Sequence, residues 1–368
     1  MVLMVEQHLI AWFWNGPADG RGIFDEPVIL VLNAAGGGAA PLFITLAGVG
    51  ASLMVMGRQG QTPKGAGPTV DRVLMLRGGV ILGYAYGLNL LAPGWFSLRS
   101  WYVLHLIGFG ILTMPVWRRL GARALLAASA LMVVVAGALQ FWLTVPFHLT
   151  NDYMAGRSPF NVTEHLTLRL ALVEGQFPLL PWLAFFLIGV VLARWLTGGH
   201  LQKIWILAVV AVGVGAGGAV GSWVAGANPD TIWGRSTTVA VPFFPLPPSL
   251  ALLLIGGVVA VVALSTEVEA RYRLRDSMVL VALGRVSLTV LIVHIWLFRE
   301  LTRTGSRWQH WLIPDPAVPY FSWWHRFDVA PAVAGIVAIL AVLGVLAVGW
   351  QRYHFRFGAE WLLRKVAP

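Results

Sequence analysis

The chain has 368 residues, of which 58% are hydrophobic and only 11% charged, and its mean hydropathy is +0.74. A soluble domain carries about a quarter charged residues, so a water-soluble fold is excluded. Cysteine is absent, which excludes disulfides, thiolate metal sites and a cysteine nucleophile.

Apolar runs near the bilayer-spanning length recur along the whole chain. Read between Gly, Pro and charge clusters, they fall near 1–14, 40–57, 74–92, 100–117, 122–145, 179–196, 203–225, 247–264, 279–298 and 329–350. They are continuous rather than alternating, which means helices and not barrel strands. The expected fold is all-α: a polytopic membrane helical bundle of about ten transmembrane helices, one domain over 1–368.

The first run, "MVLMVEQHLIAWFW", reaches only about 21 Å as a helix, against a hydrocarbon core of about 30 Å. It lacks the basic lead of a signal peptide. The expectation is a first helix cut short, its start upstream of Met1, which sets Glu6 and His8 inside the membrane toward the outward face. Ionisable groups there cost about 2.5–3.5 kcal/mol and generally face a polar cavity. Two apart on a helix, Glu6 and His8 point about 200° from one another, while His8 shares a face with Trp12. His8 reads either as a functional imidazole or as a hydrogen-bonded structural one, and Glu6 as a functional acid or an interhelical contact.

His105, in "WYVLHLIGFGIL", opens the span near 100–117 beside Tyr102, and Asn89 and Gln140 are further polar points in apolar runs. The stretch "VPFHLTNDYMAGRSPFNVTEHLTLRLALVEGQF" carries His148, Asp152, Arg157, His165, Arg169 and Glu174. A patch of mixed sign with aromatics suits a carbohydrate or other hydroxyl-rich ligand, and equally an ordinary solvated loop. His294 stands mid-span in "LGRVSLTVLIVHIWLFRE", with Ser287 on the same face. Histidines on separate helices at comparable depth would converge on one cavity. No H-E-x-x-H or close ligand pair is present, so no metal is predicted.

The linkers 58–73, 118–121, 194–203, 265–278 and the tail 351–368, with adjoining span ends, carry 17 Lys/Arg against 5 Asp/Glu. The opposite set, 15–39, 93–99, 146–178, 226–246 and 299–328, carries 9 against 10. The positive-inside rule puts the first set and both termini in the cytoplasm. The net charge of +10 is thereby an orientation signal and a contact for anionic membrane lipid; no nucleic-acid partner is expected.

Four stretches in order resemble a known family. "VLMVEQHL" looks like the end of its first helix, and "APLFITLAGVGASL" (40–53) like its second. "FPLLPWLAFFLIGVVLAR" (177–194) looks like its most recognisable segment. "LGRVSLTVLIVH" (283–294) with "FGAEWLLR" (357–364) looks like its closing helices. The family is that of bacterial relatives of heparan-alpha-glucosaminide N-acetyltransferase, within the wider transmembrane acyltransferase superfamily. The resemblance implies a bacterial plasma-membrane enzyme. It would move an acetyl or other short acyl group from cytoplasmic acetyl-CoA to a sugar amine or hydroxyl on the outer side. His8 matches the superfamily's intramembrane histidine and His294 its late-helix histidine. His8 would be the base for the acceptor or an acyl-carrying nucleophile, His294 a second base or orienter, and Glu6 a further catalytic candidate. Arg72, Arg77 and Arg285 would hold the CoA phosphates. His105, His148, His165 and Glu174 would contact the acceptor, and a homodimer is compatible with the family. The rival reading is a transporter or flippase using the same polar cavity without chemistry.

Overall fold

The computed structural model describes residues 1–16, 18–59, 69–93, 95–145, 167–228, 230–239, 243–272, 275, 278–301 and 325–367. Among these residues every regular element is a helix, apart from one isolated bridge between Trp14 and Phe327.

In chain order the α-helices of seven residues or more are α1 (Val2–Phe13), α2 (Pro27–Gly37), α3 (Ala39–Gln59), α4 (Val70–Leu91), α5 (Val103–Leu112), α6 (Ala122–Trp142), α7 (Leu179–Thr197), α8 (Leu201–Val224), α9 (Pro248–Tyr272), α10 (Val279–Arg285), α11 (Ser287–His294), α12 (Val329–Gln351) and α13 (Ala359–Val366). Local chemistry sets several of the starts. Pro27 and Pro248 open α2 and α9, where a missing N–H costs nothing. The Thr69 hydroxyl accepts from the Arg72 amide at the head of α4.

Among the described residues seven helical stretches, the first running through α2 and α3 over Pro27–Arg58, are long and apolar enough to cross a membrane, or eight if the bent pair α10–α11 is one span. The reading of about ten spans differs at four places. The span expected at 40–57 begins at Pro27, because α2, expected as part of a linker, joins α3 in one apolar stretch. The run 1–14 forms only the twelve-residue α1. The run 100–117 stops as the ten-residue α5, where Pro115 follows and the Thr113 hydroxyl bonds back to the Phe109 carbonyl at 2.8 Å. The run 279–298 breaks at Val286 with a bend of 75°.

Helix α7 is the pillar of the bundle: 72% of its apolar window is buried, against 22% for α8 and for α12. It packs on α3, α5 and α6. Small residues let α3 and α7 cross backbone to backbone. A β-carbon on Gly48 would stand 2.1 Å from the Phe186 carbonyl oxygen, and one on Gly189 would stand 2.0 Å from that of Thr45. In lipid, where apolar burial does not drive helix pairing, such close approach provides the van der Waals gain.

Helix α1 lies against α2, α3 and α12. Its C-terminal end is stitched to the lead of α12. The His325 amide donates to the Trp12 carbonyl at 2.8 Å, the Phe327 amide to that of Phe13 at 3.0 Å, and the Asn15 amide to that of Phe327 at 2.8 Å. Arg21 reinforces this seam by reaching Glu26 at 2.8 Å, Asn15 at 3.0 Å and Asp328 at 3.1 Å. The residue that ends α1 is therefore fixed relative to a helix more than 300 positions later in sequence.

Candidate active site

Residues 286 positions apart meet inside this frame: His8 Nδ1 lies 2.8 Å from His294 Nε2. The rings lie edge to edge and nearly coplanar, with centroids 5.1 Å apart and planes 13° apart, as an in-plane N–H···N bond requires. Trp12, one turn beyond His8, stacks on it at 5.3 Å and on His294 at 6.2 Å. His294 is 1% exposed, whereas His8 remains partly exposed.

The hydrogen bonds determine where the protons sit. His294 Nδ1 lies 2.7 Å from the Val290 carbonyl oxygen. A carbonyl only accepts, so Nδ1 carries the proton and Nε2 of neutral His294 is left with its lone pair. His8 Nδ1–H must then donate to that Nε2. The outcome is an ordered chain, Val290 carbonyl to His294 to His8, that leaves His8 Nε2 as an unprotonated acceptor. A buried imidazole thus orients a more accessible one and can share any proton it gains.

A seven-residue π-helix, Ile295–Leu301, follows His294 directly. Such wide turns are rare and are frequently found at functional sites. It carries Arg299 and Glu300, both 0% exposed, and the Arg299 guanidinium lies 4.2 Å over the Trp95 ring. Neither residue stood out in the sequence reading; the pair of charges closing "HIWLFRE" was the available signal. His325, at the C-terminal end of α1, bonds the Trp14 carbonyl through Nδ1 at 2.8 Å. Burial pushes its imidazole below the ordinary range, with the Trp14 contact opposing.

The other candidates fall elsewhere. Glu6 faces α2 and not the histidines: a β-carbon on Gly36 would stand 2.9 Å from its Oε2, and Gln7 beside it donates to Asn33 at 2.8 Å. Neither Glu6 carboxylate oxygen has a hydrogen-bond partner among the described residues. His105 is 0% exposed and caps α5, its Nδ1 accepting from the Tyr102 amide at 3.3 Å. Trp101 stacks on it and Tyr86 meets it edge-on. Glu174 is buried and ion-paired with Arg169, which also bonds the Leu143 carbonyl at 2.7 Å. Arg72 and Arg285 are exposed, and Arg77 donates from Nε to the Ala367 carbonyl at 3.0 Å. His148 and His165 lie outside the described residues. Among the described residues no three His, Asp or Glu side chains gather as a metal site would need.

The sequence profile of a family described as "Heparan-alpha-glucosaminide N-acetyltransferase, catalytic" matches residues 2–212. The chain belongs to this family. Neither a curated protein nor a solved structure matches it. With seven helices of spanning length, it is an integral-membrane member of an acetyltransferase family. The matched stretch holds His8 and the α3–α7 crossing, while His294 lies beyond it. The histidine pair joins a residue inside the family match to one outside.

Proposed function

We propose that the protein transfers an acetyl group from acetyl-CoA on the cytoplasmic side to an amine or hydroxyl of a sugar on the outer side. The observation that carries this reading is the 2.8 Å contact between His8 and His294, oriented by Val290, because it leaves one imidazole nitrogen free to take a proton. Acetyl-CoA enters as a substrate and supplies a carbonyl activated as a thioester. His8 Nε2 accepts the proton of the acceptor nitrogen or oxygen as that atom bonds to the thioester carbon. The C–S bond breaks, and His8 returns the proton to the departing thiolate. His294 keeps the His8 ring in the productive tautomer and shares its transient positive charge. Positioned acid–base catalysis of this kind contributes about 10²–10⁴-fold.

Arg72, Arg77 and Arg285 would hold the phosphates of CoA, being cations at or near the ends of α4 and α10 on the basic side of the chain. His105, Glu174, His148 and His165 are proposed for the acceptor side, and Glu6 for a supporting role from the opposite face of α1. A single domain in the plasma membrane with both termini cytoplasmic is part of this proposal; the basic excess supports that orientation for a topology in which the shorter helices α1 and α5 and the bent pair α10–α11 also cross. The rival reading, transport through the same site without chemistry, separates cleanly in one experiment. Reconstituted protein should transfer [14C]acetyl from acetyl-CoA to glucosamine-type acceptors, and His8→Ala should abolish transfer while inserting normally. Acceptor counterflow in proteoliposomes free of CoA, with no transfer, would favour the transporter instead.

A further inference from the structure

Helix α11, which holds His294 at its last turn, begins at the 75° break with α10. The break removes the carbonyls that would have satisfied its first amides, and its N-cap residue, Val286, offers no side-chain acceptor. The missing acceptor arrives from the other end of the chain. Glu360, on α13, takes the amides of Leu288 at 2.5 Å and Thr289 at 3.0 Å on Oε1, and the Thr289 hydroxyl at 2.5 Å on Oε2. Thr289 Oγ1 in turn accepts from the Ala359 amide at 2.8 Å. This reciprocal pair has the logic of a capping box made in trans, and a carboxylate also suits the positive end of a helix.

Helix α13 is itself held in place. Tyr84 donates to the Ala359 carbonyl at 3.0 Å and Arg77 to that of Ala367 at 3.0 Å. These two α4 residues are seven apart and grip the two ends of an eight-residue helix, so α13 runs antiparallel along α4. The turn that delivers it bends through the left-handed region at three residues with side chains, His354 (φ 53°), Phe355 (φ 52°) and Phe357 (φ 68°). Backbone of that kind persists only where surrounding contacts over-determine it. Gly358 has no room for a side chain, since a β-carbon there would stand 2.8 Å from Thr289 Oγ1.

We propose that Glu360 is a positioning residue for the acetyl-transfer site. It locks the start of the broken helix to α4 through α13, and thereby fixes His294 at the far end of that helix against His8. This rests on the reading of His8 and His294 as the acid–base pair. Glu360 does not touch a substrate in this account; it acts through α11.

The test compares Glu360→Ala, Glu360→Gln and Thr289→Val in the full chain in detergent or lipid. Glu360→Ala should lower kcat about tenfold with KM for acetyl-CoA unchanged, and should speed amide exchange at Leu288 and Thr289. Glu360→Gln retains acceptor oxygen for both amides and should restore most of kcat. Thr289→Val keeps the amide contacts to Glu360 and loses the two bonds of the hydroxyl, to Glu360 and from the Ala359 amide, so it should fold where Glu360→Ala does not, with a smaller loss of kcat at unchanged KM. Wild-type kcat in Glu360→Ala or Thr289→Val, a rise in KM alone, or a loss that Gln does not restore would overturn the proposal. Should the wild-type protein transfer no acetyl group, the acetyltransferase reading fails. Nitrogen NMR of the His294 ring still decides the positioning, which requires its Nδ1–H signal to shift in Glu360→Ala and stay in Glu360→Gln; an unshifted signal in Glu360→Ala overturns it.

Discussion

His8 and His294 are 286 residues apart and share one hydrogen bond of 2.8 Å, whose direction is dictated by the Val290 carbonyl behind His294. That direction makes a specific prediction for His294. A glutamine there can place its carbonyl oxygen where Nε2 stood and still accept from His8, but it cannot take up a proton. His294→Ala should lower kcat by about 10²-fold or more, and His294→Gln by clearly less, with KM for acetyl-CoA little changed in both. Steady-state acetyl transfer on purified protein checks this. Equal losses in the two variants would mean that orientation of His8 is not what His294 contributes.

Trp12 stacks on both imidazoles, at 5.3 and 6.2 Å, and aromatic pairs contribute about 0.5–1.5 kcal/mol beyond their buried area. Trp12→Leu should therefore reduce kcat about 2- to 10-fold through lost ring alignment. Trp12→Phe should keep most of it, and both proteins should insert. The measurement is kcat at saturating acetyl-CoA, normalised to folded protein by size-exclusion chromatography.

The α3–α7 crossing predicts an effect on stability and not on chemistry. A β-carbon at Gly189 meets the Thr45 carbonyl oxygen at 2.0 Å, and a backbone atom cannot swing aside as a long side chain would. Gly189→Leu should destabilise by about 1–3 kcal/mol or more, seen as a lower Tm or loss of a monodisperse peak. A substitution at Gly213, whose β-carbon would meet nothing within 4 Å, is the matched control and should leave Tm near wild type.

Asp328 gives a pH dependence whose sign follows from its contacts. The Val329 backbone N–H first, and then the Arg21 guanidinium, hold its carboxyl below the ordinary value of 3.8. A depressed value means the folded state favours the charged form. Its stabilisation is complete above the ordinary value and is lost as pH falls through the lower, folded-state one. Amide exchange in the first turn of α12 should accelerate, relative to intrinsic rates, only as pH falls below about 4. In Asp328→Asn the same amides should lack this transition.

Much of the architecture was legible along the chain. The apolar runs mark the spanning helices, and Pro248 lies at the start of one, whereas the extension of another back to Pro27 fell in a stretch expected as a linker. The four-residue spacing of His8 and Trp12 foretold their stacking, and the two-residue spacing of Glu6 and His8 foretold opposite faces. What could not be read was partnership across the bundle. Helix pairing in lipid follows surface fit between small residues, and no one-dimensional pattern records which polar group a histidine will meet. The break at Val286 carries no proline, and α5 stops short of a span through a local bond at Thr113. Nor does the sequence show that His105 Nδ1 accepts from the Tyr102 amide at the head of α5 or that Trp101 stacks on its ring. Arg299 and Glu300 escaped notice because a charged pair at the end of an apolar run looks like a membrane boundary, and only the fold shows them fully buried.

The central claim is that His8 and His294 act as one unit in acetyl transfer, and a double-mutant cycle tests it most directly. Transfer of [14C]acetyl from acetyl-CoA would be measured for wild type, His8→Ala, His294→Ala and the double variant, each matched for inserted protein. Residues that work together are not additive, so the double variant should be no slower than His8→Ala alone. Losses that multiply, or transfer that survives in His8→Ala, would contradict the account.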